Sequence, residues 1–323
     1  MPKKYNILVQ KGILLRSEDK TILFDPVSVA EIPPDLIVVS HAHHDHFSIR
    51  VLKKYADIPK IMSRATRALI DPQNRLNNVI EVEYGTQIDI DGVTIEVFNA
   101  GHILGSIQVR IDLNDTMFVY TGDVNTEKRM ILKPGEVVKG DVLLIEATYG
   151  VEKYIFPPRR ELYRRIVESV KTKIEENKPV AVMGRKIGVA QELTILLNMS
   201  LSMPPVVESE IVQVNEIYEA FGIHLGKYII ADEAEPVPLP YVIKLSKKKR
   251  FPGEKIPCTG WMVNGRGVPL SSHSDFSRLT EYVLESSPQV VIPVYGYRRE
   301  FAFFLKNELG FSSYSDDKVE LIL

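Results

Sequence analysis

The chain has 323 residues, 45% of them hydrophobic and 25% charged, with a formal net charge of −2. That composition excludes an intrinsically disordered chain and any global electrostatic pull on nucleic acid, and the length suggests two domains or one with a large insertion. The lone Cys258 excludes an intramolecular disulfide and a Cys-rich zinc module. With no apolar run of transmembrane length and no signal-peptide stretch after Met1, a cytoplasmic protein with no membrane partner is expected.

Strand-like runs come first: 7–9, 13–16, then Thr21 to Asp25 closed by Pro26, 35–40, 94–99, 108–113, 117–121 and 141–147. Several are apolar almost throughout, as strands buried on both faces are. After Gly150 the pattern changes. Pro157 and Pro158 punctuate the chain, and Leu162, Ile166, Val170 and Ile174 recur every fourth residue, which predicts a helix. A strand over 179–183 and a helix over 190–198 follow, and a second proline joint covers 236–240. Beyond it come a strand over 289–294 and a helix over 298–309 stopped by Gly310. The two joints bracket an inserted domain, 151–240, within an α/β body made of 1–150 and 241–323.

The most informative stretch is Ser40-His41-Ala42-His43-His44-Asp45-His46, directly after the apolar run Leu36 to Val39. In an extended loop, alternation turns His41 and His43 to one side. The Asp45-His46 pair, expected to open a helix, then faces a second metal. Imidazole with carboxylate suits zinc, with manganese or iron as alternatives. His102, flanked by Gly101 and Gly105, and Asp123, after Gly122, follow as further ligand candidates; His44 and His224 are left without a role.

In this order, Asp25, His41-x-His43-x-Asp45-His46, His102 and Asp123 resemble the motifs of the metallo-β-lactamase superfamily, which implies a four-layered αββα sandwich with a dinuclear metal site. Three more stretches resemble its β-CASP nuclease branch: Leu143 to Gly150 with Glu146, Gly184-Arg185 with Gly188 to Leu193, and Pro269 to Asp275 with His273. The resemblance implies that the insertion is a β-CASP cap. It also implies two divalent ions, both zinc, with manganese as the alternative metal. His41, His43, His102 and Asp123 would hold one, and Asp45, His46 and a bridging Asp123 the other. His273 would donate a proton to the leaving oxygen, oriented by Glu146, while Asp25 steadies the metal loop. Arg185 and the basic run Lys247, Lys248, Lys249 and Arg250 would grip phosphates, although that run is equally readable as a solvated turn.

One departure stands out. Branch members that act on RNA carry a histidine after the strand near the C-terminus, and here that position is Tyr295. Members specialised for DNA also lack it. The expectation is therefore a metal-dependent nuclease acting on single-stranded DNA as an exonuclease, with an RNA-processing ribonuclease as the alternative. A small-molecule metallo-hydrolase and a catalytically silent nucleic-acid-binding paralogue are the remaining readings.

Overall fold

The computed structural model describes residues 3–231, 236–246 and 251–323. Contacts divide the chain into two compact units, one of 1–127, 134–151 and 276–323, the other of 128–133 and 152–275. In chain order the first unit begins with β1 (Lys4–Gln10), β2 (Gly12–Arg16), β3 (Thr21–Phe24), β4 (Leu36–Val38), α1 (Ile49–Lys54), β5 (Lys60–Ser63), α2 (Arg64–Ile70) and β6 (Val79–Val82). It continues with β7 (Gln87–Ile90), β8 (Val93–Asn99), β9 (Ile107–Asp112), β10 (Met117–Tyr120) and β11 (Val142–Glu146). The second unit supplies α3 (Arg159–Glu175), β12 (Val180–Gly184), α4 (Val189–Ser200), β13 (Val206–Val207), α5 (Ser209–Ala220), β14 (Ile229–Ile230), β15 (Pro240–Lys244) and β16 (Glu254–Pro257). The chain returns to the first unit with α6 (Phe276–Ser286), β17 (Val290–Val294), α7 (Arg298–Asn307), β18 (Ser312–Ser313) and β19 (Lys318–Ile322).

The first unit holds two seven-stranded sheets, in the orders β19-β1-β2-β3-β4-β5-β6 and β18-β17-β11-β10-β9-β8-β7. Side-chain alternation builds its layers. Along β11, Val142 and Leu144 enter the core shared by the two sheets, while Leu143 and Ile145 face the other way against α6 and α7. In β3, Ile22 and Phe24 enter that same core, and Leu23 faces Leu52 of α1. Each central strand is thus covered on both faces, which is why β4, β11 and β17 read as unbroken apolar runs. The result is the expected αββα sandwich.

Within the first sheet the side chain of Lys60 is fully buried. Its ammonium donates to the carbonyls of Tyr55, Ile58 and Asn77, the last two at 2.7 and 3.1 Å. Lys60→Met keeps the apolar stem and leaves these acceptors without a donor, so a loss of about 3 kcal/mol is expected. A urea midpoint unchanged from wild type would show that water replaces the ammonium at no cost.

The second unit is an all-parallel sheet in the order β14-β13-β15-β12-β16. Residues of α3, α4 and α5 pack with Val180, Val182, Val207 and Val242, and Ala181, Met183, Val206, Tyr241 and Ile243 form a separate cluster. The insertion runs to 275, beyond the expected limit at 240. Strands β15 and β16 satisfy the two edges of β12, so the second proline joint leads into a strand of the same sheet instead of out of it. Arg159 donates to both oxygens of the buried Glu192 (2.7 and 2.8 Å) and to the Ser271 carbonyl (2.8 Å). Tyr163 also donates to Glu192, and Arg129 lies 3.7 Å from it. Among the described residues no helix is long and apolar enough to cross a membrane.

Candidate metal centre

The candidate residues sit just past strand ends: Asp25 after β3, His41 after β4, His102 after β8, Asp123 after β10 and Tyr295 after β17, while Glu146 closes β11. Strands β3 and β4 are parallel, as are β10, β11 and β17, and β8 runs the same way as β10 across β9. Parallel strands bring their carboxyl ends to one edge, where side chains from distant positions in the chain meet. The Asp45-His46 pair lies in a turn and does not open a helix. Helix α1 starts only at Ile49, after the extended Ser48.

Two glycines allow this convergence. A Cβ on Gly122, beside Asp123, would stand 2.6 Å from Ser40 Cβ, and one on Gly101, beside His102, would stand 2.2 Å from the Gly135 nitrogen. Both residues also have positive φ.

Four ligand-type atoms converge. His43 Nδ1 lies 3.1 Å from His41 Nε2 and 2.9 Å from His102 Nε2, and Asp123 Oδ2 lies 3.3 and 3.4 Å from those two Nε2 atoms. A tetrahedral ion with bonds of about 2.0–2.1 Å has ligand–ligand edges of about 3.3–3.4 Å. These spacings fit such an ion. The donor set is three imidazoles and one carboxylate, and all four residues are buried. Asp123 Oδ1 points elsewhere, 3.3 Å from His46 Nε2, so its two oxygens face two neighbouring positions. Asp25, His41 and His46 form a further cluster of ligand-type atoms, whereas Asp45 is exposed and outside both clusters.

Asp25 organises the loop. It takes up a left-handed conformation (φ +47°) and is wholly buried. Its carboxylate accepts from the Ser40 backbone N–H (2.7 Å), Ser40 Oγ (2.6 Å) and Tyr120 Oη (2.6 Å), and pairs with His46 Nδ1 (2.7 Å). Ser40 Oγ is also 2.9 Å from His41 Nδ1. The Nδ1 atoms of His41 and His46 are therefore engaged, and their Nε2 atoms are left toward Asp123. Burial, reinforced by the charge of His46, lowers the His41 pKa, which favours the neutral ring a cation needs. Burial also opposes the charge on His46, but Asp123 and Asp25 outweigh it and raise that pKa well above the ordinary value.

Tyr295 occupies the position where the histidine was missed. Its hydroxyl is 3.0 Å from that of Tyr120, and its ring meets His46 edge to face at 4.8 Å. Burial, then the Asp25 charge, raises the phenol pKa well above 10, so it is a neutral group at physiological pH. Ser40 and Tyr120, which hydrogen-bond Asp25 beside the cluster, carry no expectation from the sequence. Only the seryl oxygen beside His41 and the tyrosine closing an apolar strand could have signalled them.

Glu146 is buried, and its Oε1 accepts from the backbone N–H of Val124, the residue after Asp123, at 2.8 Å. His273 belongs to the second unit, where its N–H donates to Ser271 Oγ (3.1 Å). Arg185 is also in that unit, half-buried just past β12. Lys247, Lys248, Lys249 and Arg250 lie outside the described residues.

With the αββα layers and the metal-type cluster established, a family profile described as "Beta-lactamase superfamily domain" matches residues 5–171. The chain belongs to the metallo-β-lactamase superfamily. Its curated relatives include β-CASP nucleases. It is 27% identical to a "Probable DNA ligase" of Opitutus terrae over 90% of this chain and 30% of that protein. It is 32% identical to an "RNase J-like protein" of Methanocaldococcus jannaschii, over 51% of this chain and 43% of that one. "Cleavage and polyadenylation specificity factor subunit 3" of Dictyostelium discoideum is 31% identical over 54% of this chain and 26% of that protein. The chain thus spans less than half the length of these relatives. A solved structure of a protein of unknown function from Enterococcus faecalis has the same fold, with a TM-score of 0.66 at 15% identity over 99% of this chain and 100% of that one.

Proposed function

We propose that this superfamily member is a metal-dependent nuclease that hydrolyses phosphodiester bonds in single-stranded RNA. The observation that carries it is the convergence of His41 Nε2, His43 Nδ1, His102 Nε2 and Asp123 Oδ2 at spacings that suit one tetrahedral ion. A divalent ion, zinc first and manganese second, supplies Lewis acidity and activates water near neutral pH when bound there. Asp123 shares its carboxylate with a second position, for which His46 and Asp45 are the proposed partners. Asp25 and Ser40 hold the rings of His41 and His46 in place. Glu146 fixes the backbone after Asp123, and His273 delivers a proton to the departing oxygen, a role that rests on its sequence motif. Arg185 and the 247–250 cluster bind flanking phosphates.

RNA stands ahead of the DNA exonuclease expected from sequence, because ribonuclease and polyadenylation-factor names recur among the relatives. Two observations keep single-stranded DNA as a second reading: Tyr295 in place of the histidine, and the long match to a protein named as a DNA ligase. End-labelled RNA and DNA strands of one sequence, incubated with zinc or manganese, separate the two. Faster cleavage of RNA is expected. Equal or faster cleavage of DNA overturns the RNA assignment, and no cleavage of either strand overturns the nuclease reading.

Tyr295→His puts an imidazole beside His46, and the backbone at φ +61° accepts histidine better than most residues. Metal content per chain, by elemental analysis after dialysis, should rise above that of wild type. Equal content in the two proteins would mean that the second position takes its ligand elsewhere.

A further inference from the structure

The second unit contains an aromatic site to which no role has been given. Residues 259–267 form a loop closed at its base: Thr259 N–H donates to the Val268 carbonyl (3.0 Å), and Val268 N–H donates to that of Pro257 (2.8 Å). In its first turn stands Trp261, the only tryptophan of the chain, with 50% of its surface open to solvent. The ring of Tyr154 holds it edge to face at 5.3 Å, and Lys153 Nζ lies 4.9 Å from the centre of the Tyr154 ring. Arg266, in the same loop, is exposed.

We infer that Trp261, braced by Tyr154, is a stacking platform for a nucleobase of a single strand, with Lys153 and Arg266 meeting the adjoining phosphates. This rests on the nuclease reading for the identity of its ligand. A tryptophan held by a second ring is already fixed in orientation, so stacking on it costs little conformational freedom. Cationic side chains on both flanking segments suit an anionic polymer whose bases offer π faces. A purely apolar partner would leave those charges unused. Stacking accepts any base, so the platform would add affinity without sequence preference.

A single tryptophan makes the test direct. A phosphorothioate oligouridylate and its abasic counterpart are titrated into the intact protein while Trp261 fluorescence is followed. Saturable quenching by the first and much weaker quenching by the second are expected. Trp261→Ala should weaken oligouridylate binding by about 5- to 100-fold, the equivalent of about 1–3 kcal/mol per stacked base, and Trp261→Phe should restore most of the loss. Metal content should be the same in all three proteins. Equal quenching by the abasic strand, or unchanged affinity in Trp261→Ala, overturns the platform. A protein that binds oligouridylate through Trp261 but cleaves no strand would keep this inference while removing the nuclease reading. Cleavage with a silent Trp261 would do the reverse.

Discussion

Asp123→Ala should strip the protein of most of its bound divalent metal and lower strand cleavage by about a thousandfold. The expectation follows from what one side chain does in two directions. Its Oδ2 completes the group of His41, His43 and His102, while its Oδ1 is 3.3 Å from His46 Nε2. Removing it takes away the sole carboxylate of the four-residue cluster and leaves three neutral rings with no negative charge to offset that of the ion and one coordination position unfilled by protein. It also removes the stronger of the two carboxylates that offset the burial of His46, so the pKa of that imidazole should fall. Elemental analysis of wild type and variant, with circular dichroism to confirm a folded chain, gives the answer. Retention of stoichiometric metal by the variant would refute the proposed ligand set.

The second large effect is on stability. Glu192 is fully buried among Arg159, Arg129 and Tyr163. Burial alone would raise its pKa, but the charge and hydrogen bonds of Arg159, with help from Arg129, lower it. Glu192→Gln leaves two buried guanidinium groups without their counter-charge, and a loss of about 3–5 kcal/mol is expected. The pH dependence has a definite sign. A carboxyl whose folded-state pKa is depressed contributes stability above its unfolded value, about 4.3, and loses it as the pH falls through the folded value. The wild-type urea midpoint should therefore drop below about pH 5 more steeply than that of Glu192→Gln. Parallel curves for the two proteins would show that Glu192 is not the group responsible. Metal content should not change, which separates this effect from that of Asp123→Ala.

Much of the metal centre was legible in the chain because its ligands are concentrated in short motifs next to strands. His41 and His43 lie two residues apart after an apolar run. His102 and Asp123 each adjoin a glycine that lets the backbone come close to a neighbour. The helix over 159–175 was equally plain, since its buried Leu162, Ile166 and Val170 repeat at the helical period. Other elements were not. Helix α5 was missed because its outer face carries Glu210, Glu216 and Glu219, which masks the buried Ile211, Val214 and Tyr218.

By itself, then, the sequence determined the residue types of the centre, the order of its motifs and the presence of an insertion. Those are local properties: a histidine pair, a glycine, a proline joint. Tertiary structure alone decided which atoms meet. Tyr120 joins Tyr295 across 175 residues because β10 and β17 end at one edge of the second sheet, and it joins Asp25 of the first sheet across 95 residues because the two sheets pack face to face. It also decided where the insertion stops. Strand pairing depends on which free edges β12 offers, and β15 and β16 fill both, although a proline-rich segment precedes the first of them. The loop after β4 is likewise anchored only in the folded chain, by Asp25, a buried carboxylate whose four contacts come from Ser40 and His46 of that loop and from Tyr120 at the end of β10.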